Sequence, residues 1–149
     1  MNPLRPFEEF IAAGVVRKRA PDARRARNLL EDSEKRRRFL EQAVERLGVD
    51  DDSANYYVEA CYDILLQLIR ARLLRDGYSA SGEGGHEAEV AYLAKLKIAQ
   101  RDVRFLNDLR YFRNGIKYYG ERRDAEYAGR VLHFTRELYP QLRALAEKL

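Results

Sequence analysis

Two adjacent polar residues inside an apolar helical stripe carry the most chemical information in this chain. With Leu109 set at 0° on a helix of 100° per residue, Phe105, Leu106, Phe112 and Ile116 spread from about 300° through about 60°, and Arg113 falls at about 40°. A guanidinium in the arc that should face a core is costly unless a carboxylate pairs it or a cleft keeps it for an anion. Asn114 follows, and then Gly115-Ile116-Lys117-Tyr118-Tyr119-Gly120. Arg113 offers a planar fork of donors, Lys117 a second charge, and Tyr118 and Tyr119 flat faces on which a base can stack. Arg113, Asn114, Lys117, Tyr118 and Tyr119 are therefore the candidate residues for holding a nucleotide or an RNA phosphate. The structural alternative is that Arg113 lays its aliphatic stem along the core and pairs with a carboxylate such as Asp63 or Asp108.

Other chemistry finds little support. His86 and His133 are the only histidines, and neither has a second His or Cys at ligand spacing, so no metal site is expected. Cys61 lies on an apolar stripe without a local base and reads as a small core residue. The Asp50-Asp51-Asp52-Ser53 run reads as a helix cap, since it lacks the spaced oxygens and glycine of a calcium loop. The glycines at 82, 84 and 85 come with neither the lysine nor the strand of a phosphate-binding loop. No cofactor is implied.

The elements that must position Arg113 are helical. Residues 22–139 contain no proline, apolar residues recur at threes and fours, and no segment alternates with period two, which predicts an all-α antiparallel bundle of about five to six helices with no sheet. A short helix from about Pro6 to Ala13 stops at Gly14, and Val15 to Ala20 connects it to a long helix from Pro21-Asp22 to Leu47 with inward stripe Ala26, Leu30, Ser33, Leu40, Val44 and Leu47. The third helix runs from Ser53 to Asp76-Gly77 and is apolar on more than one face, so it should be central. The stretch from Gly77 to Gly85 is too rich in glycine to be helical and is expected to be a mobile loop. Helices from about His86 to Ile98, Arg101 to Tyr119 and Arg123 to Lys148 complete a single domain, with Pro140 expected to bend or break the last. The aromatic-rich fifth helix suggests self-association through the later helices.

Charge is abundant and nearly balanced. The 149 residues hold 28 Lys plus Arg, 22 of them Arg, against 24 Asp plus Glu, for a net charge of +4. Residues 1–38 sum to +5, residues 39–98 to −5 and residues 99–149 to +4, so the basic thirds could meet on one face. The plainer reading is solvated helix faces with acid and base at spacing four, as where Glu31, Asp32 and Glu34 precede Lys35-Arg36-Arg37-Arg38. One cysteine excludes a disulfide framework within the chain, and no apolar stretch approaches the ~20 residues that span a bilayer. With Glu8 and Glu9 ahead of the first apolar run in place of a basic leader, a cytoplasmic protein is expected.

The segment Leu109-Arg110-Tyr111-Phe112-Arg113-Asn114-Gly115-Ile116-Lys117-Tyr118-Tyr119-Gly120 resembles the signature helix of HEPN domains, particularly the small single-domain members of prokaryotes and archaea. The order of elements is similar too: a short first helix, a long charged one, a central apolar one ending in Arg75-Asp76-Gly77-Tyr78, a glycine and serine loop leading to His86, and then the Arg-Asn helix. The resemblance implies a helical bundle that pairs as a homodimer, a shared cleft holding both Arg-Asn motifs, and action beside a minimal nucleotidyltransferase in a toxin-antitoxin type of pair. Catalytic members are metal-independent ribonucleases whose motif runs from Arg and a polar residue to a His. Arg113 and Asn114 match its first positions, whereas position 118 is Tyr, a phenol with a pKa of about 10 that does not relay protons near neutral pH as imidazole does. The leading expectation is thus a binding module. The alternatives are a degenerate endoribonuclease using Arg113, Asn114 and Tyr118 or Lys117, and a structural dimerisation module.

Overall fold

The computed structural model describes residues 3–148, and its architecture is an all-α bundle of six helices. Helix α1 is Phe7–Ala12, α2 is Ala23–Leu47, α3 is Ala54–Arg75, α4 is Gly85–Tyr92, α5 is Gln100–Tyr119 and α6 is Ala125–Glu147. Among the described residues, no helix is long and apolar enough to cross a membrane.

Helix α3 is the hub. Tyr57, Val58, Cys61, Ile64, Leu65, Leu68, Ile69 and Leu73 are all buried, and α2, α4, α5 and α6 all pack on it. An element covered on several sides cannot keep a polar face, which is why this one is apolar nearly all round. Helix α2 is one-sided: Ala26, Leu30, Ser33 and Leu40 are buried and Val44 is partly so, whereas Leu47, expected on the inward stripe, is the last residue of the helix and is exposed. The Ser33 hydroxyl, facing α3, donates to the Ile64 carbonyl at 3.1 Å. The charged face of α2 is laced by Arg36–Asp32 at 2.8 Å and Arg37–Glu34 at 2.6 Å, as acid and base at short helical spacing require.

Three expectations are corrected. A small antiparallel ladder joins β1 (Val16–Lys18), in the expected connector, to β2 (Tyr78–Ala80), in the expected mobile loop, with Val16 opposite Ala80 and Lys18 opposite Tyr78. Strands of three residues are too short to display a period of two, and each finds its partner about sixty residues away. The fourth helical segment is α-helical only to Tyr92; Leu93–Leu96 tightens into a 3-10 turn that ends at Lys97 in the left-handed region, φ 62°. Finally, Pro140 does not break α6, which continues as one helix from Ala125 to Glu147.

The acidic run before α3, expected to cap that helix, makes no side-chain capping bond to it, for Ser53 is the N-cap and its hydroxyl is spent on the turn before the helix; the run closes that turn and reaches the start of α6 instead. The Asp50 carboxylate accepts from the Ser53 amide at 2.8 Å, and Asp51 accepts from the Ala125 amide at the first turn of α6, also at 2.8 Å.

Candidate functional site

Helix α5 lies against α3 and α4, and its buried Val103, Leu106, Leu109 and Ile116 fall on one face at spacings of three and seven. Arg113 occupies the place on that stripe between Leu109 and Ile116 and is 8 % exposed. Its Nη2 donates to Asp63 Oδ1 of α3 at 3.2 Å. Its Cζ lies 5.5 Å from the centroid of the Tyr62 ring. The guanidinium is otherwise unsatisfied, because Nε and Nη1 are buried without an acceptor, and the Tyr62 hydroxyl beside it is also buried without a partner. Burial pushes the Tyr62 hydroxyl well above the ordinary phenol range.

The ion pair is uneven. The Arg113 side chain is 9 % exposed and that of Asp63 is 41 % exposed, so the cation is enclosed and its counter-ion reaches water. Of the two carboxylates that sequence reasoning offered to Arg113, the structure selects Asp63; Asp108 lies on another side of α5, in a cleft with Phe112 and Tyr127.

Asn114 is half-buried, and Lys117, Tyr118 and Tyr119 are exposed on the last turn of α5. The Lys117 ammonium lies 5.8 Å from the centroid of the Tyr118 ring. Helix α5 ends at Gly120, whose φ of 66° is left-handed. The five candidate residues thus share one helix end, but Tyr118 and Tyr119 point to solvent and do not close over Arg113.

Two features near Arg113 escaped sequence reasoning. Arg110 donates from Nε and Nη2 to Asn107 Oδ1, at 3.1 Å each, and Asn107 is buried. Glu89 of α4 is 2 % exposed and takes a two-pronged pair from Arg70 of α3 at 2.7 and 3.1 Å, with His86 Nδ1 at 3.2 Å. A glutamate set among Ala88, Val90 and Ala91 was the available signal for the second of these. Among the described residues, no group of three His, Cys, Asp or Glu is placed to hold a metal ion. The Cys61 thiol is buried, and burial pushes its pKa up to about 12, so it is not a nucleophile near neutral pH.

Fold and site together define an all-α bundle with a buried, partly unsatisfied arginine on its fifth helix. No family model, no curated protein and no solved structure matches this chain.

Proposed function

We propose that this chain is a HEPN-like nucleotide- or RNA-binding module in which Arg113 is the phosphate anchor, assisted by Asn114 and Lys117, with Tyr118 and Tyr119 supplying stacking faces. On this reading it acts as a homodimer and as the partner of a minimal nucleotidyltransferase. One observation carries the proposal: a nine-tenths buried guanidinium with a single protein acceptor at 3.2 Å and two nitrogens without one. Unfilled donors on a buried cation are destabilising unless something else uses them, and a phosphate brings several acceptor oxygens. Exposure of Asp63 gives the arrangement a way to open, since its carboxylate can turn to water while the anion takes its place.

A second, structural reading rests on the same Asp63 pair: Arg113 simply ties α5 to α3. The two separate cleanly. If Arg113 anchors phosphate, Arg113→Ala removes the RNA or nucleotide binding held at Arg113 and leaves the melting temperature nearly unchanged, and Arg113→Lys loses the same share of binding because the planar fork is gone. If the pair is structural, Arg113→Ala costs several kcal/mol, about 3–5 when a buried pair is broken. RNA affinity indifferent to both substitutions defeats the binding proposal. Cleavage of RNA without metal in a single-turnover assay, lost in Tyr118→Phe, would move the chain into the ribonuclease class.

A further inference from the structure

A different side of α5 faces α6 across an open cleft of about 520 Å3, within the size range of small-ligand sites. Its walls combine three aromatic rings, Phe105, Phe112 and Tyr127, with three arginines, Arg122, Arg123 and Arg130. The cations are arranged on the rings: Arg123 Cζ lies 4.5 Å from the Phe112 centroid and 6.0 Å from that of Tyr127, and Arg130 Cζ lies 5.4 Å from Tyr127. Phe112 and Tyr127 meet edge to face at 5.3 Å.

The polar groups are not all committed. Arg123 pairs with Glu121 at 2.6 Å but keeps a buried Nε without an acceptor. Among the described residues, Arg122 and Arg130 have no carboxylate within ion-pair distance, and both are exposed. Asp124, which also lines the cleft, spends its carboxylate on the Tyr127 amide at 2.8 Å, whereas Asp108 remains as an acceptor in the wall. The Arg123 amide donates to Asn55 Oδ1 of α3 at 2.7 Å, and Asn55 donates to the Glu121 carbonyl at 3.0 Å. These bonds pin the short connection between α5 and α6, so the arginines are presented from an anchored segment.

We propose that this cleft is a binding site for one nucleotide unit, either free or as part of a single-stranded RNA. A base has a flat face suited to the rings and the stacked guanidinium planes, a ribose has hydroxyl donors suited to Asp108, and a phosphate suits Arg122 and Arg130. The site does not depend on Arg113, which reaches from α5 toward α3.

The test measures binding of AMP by calorimetry and of a short fluorescein-labelled single-stranded RNA by anisotropy. The double variant Arg122→Ala/Arg130→Ala removes two exposed charges with little risk to the fold. It should weaken one or both probes about tenfold or more, and for RNA the salt slope should become shallower by about 0.7 for each phosphate that is no longer neutralised. A loss confined to AMP assigns the cleft to free nucleotide, and a loss confined to RNA assigns it to a strand. Arg24→Ala/Arg27→Ala, two exposed charges on α2, is the control and should leave both affinities within about twofold. Arg113→Ala should leave AMP binding at this cleft intact, so failure of the Arg113 proposal and failure of this one are read separately. The inference is overturned if wild-type protein binds neither probe, if the double variant binds as wild type does, or if the α2 control loses as much.

Discussion

At the scale of single residues, what decides whether a charge matters is how much water it keeps. Arg36–Asp32 is about half exposed on both sides and contributes at most ~1 kcal/mol. Glu34 is different. Its side chain is 15 % exposed and accepts from Arg37 at 2.6 Å, from the Tyr139 hydroxyl at 2.6 Å and from Arg143 at 3.0 Å, joining α2 to α6. The Arg37 hydrogen bond above all, with the Tyr139 bond and the neighbouring charges, outweighs burial and holds the carboxyl at about 2 against an ordinary 4.5. Because the folded value is the lower one, this stabilisation is complete above pH 4.5 and disappears as pH falls toward 2. Glu34→Gln should therefore cost ~1.5–3 kcal/mol near neutral pH, the usual range for hydrogen bonds to a charged group. Urea unfolding of wild type and variant at neutral and acid pH checks it: the gap should narrow on acidification, and a gap independent of pH would count against the assignment.

At the scale of elements, helix ends and the strand pair show how local chemistry fixes the frame around α5. Gly77 ends the turn after α3 with φ 84°, and its carbonyl accepts from the Arg19 amide at 2.8 Å, which docks the segment after β1 beside the start of β2. A Cβ there would lie 2.8 Å from the Arg19 carbonyl oxygen. Gly82 has a similar φ of 74° but open space around it. Both Gly→Ala changes incur the left-handed penalty of ~1–2 kcal/mol, and Gly77→Ala must also displace backbone. Thermal melts should show Gly77→Ala clearly less stable than Gly82→Ala; equal losses would mean that the close approach costs nothing.

At the scale of the molecule, the aromatic residues of α5 divide between inside and outside. Phe105 packs on Phe134 with centroids 4.1 Å apart and Phe112 on Tyr127, both within the chain, while Tyr118 and Tyr119 stay in solvent at 63 % and 80 % exposure. The homodimer proposed above therefore has the C-terminal turn of α5 as its available aromatic surface on the later helices. Light scattering at tens of micromolar should give twice the 17.4 kDa chain mass, and Tyr118→Ser/Tyr119→Ser should return it to that of one chain. A wild-type mass of one chain would remove the dimer from the proposal.

Much of this frame is written in local pattern. The threes and fours of apolar residues specify six helical segments, the breadth of the apolar surface on α3 marks it as central, and Arg113 stands out because it occupies a core-facing arc on α5. These depend on neighbours a few residues apart, and helix geometry makes such neighbours predictable. What the tertiary structure decided is everything set by distant partners. It chose Asp63 over Asp108 for Arg113, paired Val16 with Ala80, and gathered Phe112, Arg123 and Tyr127 into one cleft from two helices and the connection between them. It also buried Glu89 against Arg70. None of these pairings has a periodic signature, because which faces meet is settled by how whole helices pack, and only that packing determines which buried charge is satisfied and which is left with free donors.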